Sequence, residues 1–345
     1  MHPIAGLIQR NVSRFTHAGR TLWINPPPDG GWAALSPACP EAGLFCQDYA
    51  DYLALQAQDA PALFGDFPAS REPRYETLIL TLPREKQRLE MMLALAAGWM
   101  EPGGKLWLAG ENRAGIKSSR SILGKYFCRV EKHDSARHCV LFCASGASRK
   151  SPPPPDDFLL HWVQDTVEPA LEVCSWPGVF AHGTLDAGTR LLLEHLPEPP
   201  AHSRVLDFGC GAGLIGCFML QRQPALEMTL CDSSALALSA TRKTLDANGL
   251  AGTVLPSDGF SGINGCFDLV VSNPPFHRGY RSEVSLSQAL LNPAGNFLNP
   301  GGQLIVVANR HLPYQSWLEA GFDHLDVLAV NSRYHVLSVV RPDRG

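Results

Sequence analysis

One stretch limits the fold of this chain more than any other. At Val205-Leu206-Asp207-Phe208-Gly209-Cys210-Gly211-Ala212-Gly213 an apolar run enters a glycine-rich turn, and LIGCFMLQRQ then continues at helical spacing. A strand, a tight turn and a helix in that order make the opening unit of a doubly wound α/β sheet. The next segments keep the alternation: EMTLCD, the helical SALALSATRKTLDANG with its closing glycine, TVLPSD, FDLVVSN, a helix near SQALLNPAGNFL, and GGQLIVVANR. The end, DHLDVLAVNSRYHVLSVVR, reads as two strands forming an antiparallel edge.

A weak internal repeat extends this reading to the first half. YETLILTLPREK resembles FDLVVSNPPFHR, and EPGGKLWLAGENR resembles NPGGQLIVVANR further on. Both copies continue into a helical stretch and a final pair of strands. The first half therefore has the same doubly wound fold, but it contains no Asp-x-Gly-x-Gly sequence and reads as a copy that no longer binds cofactor. SGASRKSPPPPDD has the composition of a stiff linker. The expected organisation is a degenerate domain over 1–147, a linker over 148–157 and a catalytic domain over 158–345.

Charge separates the halves. Residues 1–150 carry 18 Lys and Arg against 14 Asp and Glu, whereas residues 151–345 carry 11 against 19. Residues 105–150 alone hold 10 basic and 3 acidic side chains, a footprint suited to RNA, within which Lys117, Arg120 and Lys125 are the candidate phosphate contacts. The ten cysteines form no CxxC pair and no metal-spaced cluster, so buried free thiols in a reducing compartment are expected. Neither a membrane span nor a signal peptide is evident. The expectation is a cytoplasmic monomer without metal.

Two chemistries compete for the glycine turn. Gly211-Ala212-Gly213-Leu214-Ile215-Gly216 also fits the dinucleotide fingerprint, with Asp232 about twenty residues on, where an NAD enzyme would hold a ribose. Against it stand Asp207, at the strand end where methyltransferases place an acidic residue, and a second motif with no role in hydride transfer. That motif is Ser272-Asn273-Pro274-Pro275-Phe276-His277, at the end of the strand FDLVV.

A nucleobase amine is a poor nucleophile because its lone pair is delocalised into the ring. The Asn273 side-chain oxygen and the Pro274 carbonyl can each accept one of its N–H bonds and aim that lone pair at a methyl group. Pro274 and Pro275 stiffen the loop, Phe276 can stack on the base, and His277 is a further substrate-contact candidate. S-adenosylmethionine is thus the expected cofactor, with Asp207, Gly209, Gly211 and Gly213 around it, Asp232 on its ribose and Asp258 near its adenine. Asn25-Pro26-Pro27-Pro28 imitates the second motif but lacks the aromatic and an upstream glycine turn, so it reads as structural.

With these residues in hand, the chain resembles the bacterial ribosomal RNA small subunit methyltransferase C family. The resemblance lies in Asn-Pro-Pro-Phe-His, PGVF at 177–180, LDAGTRLLL at 185–193, TLCDSSALALSATRKTLDANG at 229–249 and VANRHLPY at 307–314. In the first half it extends to GENRAGIKSS (110–119) and KHDSARHCVLF (132–142), and from about residue 75 it covers most of the chain. Residues 181–184, AHGT, depart from the family's more polar run, and VANRHL resembles the large-subunit relatives at least as well. The resemblance implies two tandem methyltransferase-like domains, only the second active, and methylation of guanine N2 in 16S rRNA within the small subunit. The equivalent reaction on 23S rRNA and a non-catalytic rRNA-binding assembly factor are the alternatives.

Overall fold

The computed structural model describes residues 1–15, 19–68, 74–148, 153–274 and 293–342. They fold as two compact units, Met1–Leu159 and Leu160–Gly345. The second begins two residues later than the linker composition suggests.

The second unit shows how the apolar runs become a sheet. Its strands are β10 (Arg204–Phe208), β11 (Glu227–Asp232), β12 (Thr253–Pro256), β13 (Phe267–Ser272), β14 (Leu298–Asn309), β15 (Leu325–Val330) and β16 (Tyr334–Val340), in the order β12-β11-β10-β13-β14-β16-β15. The first five are mutually parallel, and β16 enters antiparallel between β14 and β15. Successive strand residues point to opposite faces, and helices cover both, so near-continuous apolar runs are what such strands require. Val205, Leu230, Leu269, Val271, Ile305 and Val336 enter the core on one face. Leu206, Cys231, Val270, Leu304, Val306 and Leu337 enter the core on the other.

The first unit repeats this order. Its strands are β1 (Thr21–Ile24), β2 (Gly43–Cys46), β3 (Ala62–Phe64), β4 (Tyr75–Thr81), β5 (Met100–Glu111), β6 (Phe127–Ala136) and β7 (Cys139–Ala147), arranged β3-β2-β1-β4-β5-β7-β6. The Pro-Gly-Gly runs bend β5 and β14 in the same way. The register shifts between Tyr75 and Thr77 in one pairing and between Phe267 and Leu269 in the other. At Gly104 a Cβ would lie 3.0 Å from the Glu76 carbonyl oxygen, and at Gly302 2.8 Å from that of Phe267, so a side chain has no room at either bulge. A hairpin of β8 (Leu160–Gln164) and β9 (Leu171–Ser175) precedes the second sheet.

Half of the expected helix near SQALLNPAGNFL lies outside the described residues, and Gly295–Phe297 is a 3-10 turn. No helix among the described residues is long and apolar enough to cross a membrane, and no cluster there could hold a metal ion. Cys46, Cys139, Cys174, Cys210, Cys217 and Cys231 are buried free thiols, whereas Cys128 is exposed.

Candidate active site

Strand register brings the sequence-predicted residues of the second unit to one edge. Asp207 pairs with Leu230 of β11 and Val271 of β13, and Asp232 pairs with Pro256 of β12. The glycine turn, Asp232, Asp258 and Asn273 therefore follow the carboxyl ends of four neighbouring strands, where open α/β sheets bind ligands.

The turn is held from both sides. Gly209 and Cys210 donate their N–H groups to the Cys231 carbonyl, and Gly211 donates to Asp232 Oδ2 at 3.0 Å. Thr241 Oγ1 donates to the Gly211 carbonyl at 3.0 Å. Gly209 and Gly211 have φ of 74° and 59°, and among the described residues no atom beyond their chain neighbours stands within 4 Å of where a Cβ would be. Their outer face is thus open to a ligand, while the backbone angle itself demands glycine. Gly213 is constrained twice, by φ of 79° and by Thr241 Cγ2 at 2.9 Å from a Cβ position.

Asp207 is completely enclosed. Its Oδ2 accepts the Gly216 N–H at 2.8 Å, and its Oδ1 has no partner among the described residues. Burial pushes its carboxyl up to about 7, against the Gly216 N–H, which lowers it, while nearby Asp232 raises it further. Asp207 thus ties the turn to the start of helix Leu214–Arg222, and that tie takes up one of the N–H groups of the helix's first turn. Asp232 is 4% exposed; it accepts from Gly211 N and Ser234 N, while Ser234 rather than Asp232 caps the next helix. Asp258 is half-buried, with its N–H on Ser261 Oγ.

Asn273 is 8% exposed and polarised by its neighbours. Its Nδ2 donates to Thr189 Oγ1 at 2.7 Å and to Asp186 Oδ2 at 3.2 Å, which leaves Oδ1 buried without a partner among the described residues. Ser272 Oγ donates to the Phe208 carbonyl at 2.7 Å, fastening this strand end to the glycine turn. Pro274 is buried beside it. Pro275, Phe276 and His277 lie outside the described residues.

Asp186 and Thr189 were not singled out in the sequence. Asp186 ahead of Ala187–Leu193 is a readable helix N-cap, and it accepts from Gly188 N and Thr189 N, but its link to Asn273 spans 87 positions and exists only in the fold.

In the first unit the same sheet edge is filled by protein. Asn25, at the end of β1, accepts the Gln47 N–H and donates to Gln47 Oε1 at 3.0 Å. Arg88 donates to that same oxygen at 2.8 Å, and Gln47, 1% exposed, donates to the Asp66 carbonyl. Gln47 follows Cys46 as Asp232 follows Cys231. Lys117, Arg120 and Lys125 are exposed in this unit; Lys125 forms an ion pair with Glu90 at 2.9 Å, and the other two form none among the described residues.

Five parallel strands, an antiparallel strand slotted before the edge, and a glycine turn facing an Asn-Pro-Pro strand end define the S-adenosylmethionine-dependent methyltransferase class. Residues 170–338 match the family described as "Methyltransferase small domain", and residues 5–162 match "Methyltransferase small domain N-terminal". Proteins named Ribosomal RNA small subunit methyltransferase C are 37% identical in Shewanella sp. (strain MR-7), covering 92% of this chain and 93% of that one, and 34% identical in Psychromonas ingrahamii, covering 97% and 95%. The T. thermophilus 16S rRNA N2 G1207 methyltransferase, solved with AdoMet and guanosine, superposes with a TM-score of 0.86 at 26% identity, over 99% of this chain and 92% of that one. The chain belongs to the ribosomal RNA small subunit methyltransferase C family. The family match begins at residue 5, well before residue 75, where the legible motifs begin; β2 and β3 are too short to carry a recognisable pattern.

Proposed function

We propose that this protein transfers a methyl group from S-adenosylmethionine to the exocyclic N2 of a guanine in 16S rRNA, presented within the small ribosomal subunit. The observation that carries this is the buried Oδ1 of Asn273, without a partner among the described residues, beside a glycine turn whose outer face those residues leave open. An enclosed acceptor without a donor is costly unless a ligand supplies one, and an amine N–H does so.

When bound, S-adenosylmethionine supplies an electrophilic methyl on a cationic sulfur. Gly209, Gly211 and Gly213 would pass its amino-acid end closely, Asp232 would face its ribose, Asp258 would lie toward its adenine, and Asp207 would keep the turn in shape. Asn273 Oδ1 and the Pro274 carbonyl would each accept one N–H of the guanine amine, turning the lone pair out of conjugation and holding it in line with the methyl. Pro275, Phe276 and His277 complete the loop in this reading. The methylated nitrogen is acidic enough to lose its proton to water, so no strong base is needed.

Small subunits from cells lacking this gene, incubated with the purified protein and S-adenosylmethionine, should gain one methyl on one 16S guanine by mass mapping. Calorimetry should show micromolar-range binding of S-adenosylmethionine or its demethylated product and none of NAD. Binding of NAD without S-adenosylmethionine would overturn the cofactor, and methylation confined to 23S rRNA would overturn the substrate.

The first unit is assigned to rRNA contact through Lys117, Arg120 and Lys125. Charge reversal of all three should weaken rRNA binding and flatten its salt dependence, with cofactor affinity unchanged. Each lost phosphate contact lowers the slope of log K against log salt by about 0.7–0.9. Lys125→Glu alone should contribute least, because Glu90 already holds that ammonium. Unchanged binding at low and high salt would reduce this patch to solvated surface.

A further inference from the structure

We propose that Asp186, with Thr189, is a positioning residue that holds the Asn273 amide with its oxygen toward the target amine. The proposal rests on the role of Asn273 in binding that amine.

An amide has a donor end and an acceptor end of nearly the same shape, and only its surroundings choose between them. The surroundings here choose firmly. An ionised carboxylate only accepts hydrogen bonds, so the Asn273 atom 3.2 Å from Asp186 Oδ2 must be the NH2 nitrogen. Thr189 Oγ1 accepts the same group's second N–H at 2.7 Å, and its own hydroxyl faces Asp186 Oδ2 at 3.5 Å. Both amide hydrogens are thereby consumed, and Oδ1 is left as the free, buried acceptor. Reversing the amide would set its oxygen against the carboxylate and present N–H groups to an amine that also donates.

The frame around this contact is rigid. Asp186 Oδ2 is pinned by Gly188 N at 2.8 Å and Thr189 N at 3.0 Å. A Cβ at Gly188 would sit 3.2 Å from Tyr334 Cε1, so the helix start is packed directly on β16. One carboxylate oxygen therefore caps the helix and sets the amide, and the carboxylate cannot shift without loosening both.

The test separates the two roles. Ser, Asn and Asp cap helices comparably. Asp186→Ser keeps a capping oxygen but is too short to reach Asn273, whereas Asp186→Asn can place a carbonyl oxygen where Oδ2 stands. Asp186→Ser should lower kcat by about 10- to 100-fold, the scale of losing a hydrogen bond to a charged group, with KM, S-adenosylmethionine affinity and Tm close to the parent's. Asp186→Asn should restore most of that turnover. Parent-like kcat in Asp186→Ser, or equal losses in both variants, would overturn the proposal. So would a loss that tracks cofactor affinity or Tm. Asn273→Ala is assayed alongside: if it turns over normally, the reading of Asn273 fails, whereas if it is dead while Asp186→Ser is active, only the positioning role fails.

Discussion

Asn273→Ala is expected to lower turnover by about 10²- to 10⁴-fold, the range for losing a preorganised polar group that acts in the transition state. The affinity for S-adenosylmethionine should be little changed. The side chain contributes nothing to the glycine turn, which is held by Cys231, Asp232 and Thr241, so its loss acts on the reacting amine alone. The fold should survive, since Ser272 still ties the strand end to Phe208 and Asp186 still caps its helix. Single-turnover methylation and calorimetry on the purified variant check both halves. Near-normal turnover would remove Asn273 from the mechanism, and a matching loss of cofactor affinity would make it a cofactor residue instead.

The second large effect is on stability. With its carboxyl pushed up to about 7 by burial, Asp207 in the folded chain keeps a proton that the unfolded chain releases near pH 4. The folded state thus binds the extra proton between those values, and stability falls as pH rises through this window, the reverse of an ordinary ion-paired carboxylate. A shift of this size corresponds to about 4 kcal/mol, fully present below pH 4 and lost by pH 7. Asp207→Asn keeps an acceptor for Gly216 N–H and removes the ionisation. Denaturant unfolding of the cofactor-free protein at stepped pH should therefore show the parent losing stability relative to Asp207→Asn between pH 4 and 7. Parallel profiles would place the ionisation of Asp207 elsewhere.

The parts of the site that are legible in sequence divide from the rest along a physical line. The glycine turn, Asp207, Asp232 and Asn273 are local signals, because each sits where an apolar strand ends, and strand ends in a parallel sheet share one edge whatever the loops between them do. The Pro-Gly-Gly repeat predicts the sheet of the first unit for the same reason, since a bulge leaves its mark within one strand. The Asp186–Thr189–Asn273 contact is illegible because its partners lie far apart in sequence and an N-cap looks the same whether or not it also serves a site. The same distance hides the pairing of Lys125 with Glu90, which a charge count treats as a free cation. The strands Gly43–Cys46 and Ala62–Phe64 escape notice because runs of three or four residues carry too little periodicity.

The filled sheet edge of the first unit bears on what this half of the chain could become. Gln47 is held by Asn25 and Arg88 together, and changing Asn25 takes away the acceptor of the buried Gln47 N–H. Restoring a glycine turn after β1 would meet this same network before it met any ligand. Opening a crevice at this edge therefore takes several substitutions together, because the side chains that occupy it hold one another.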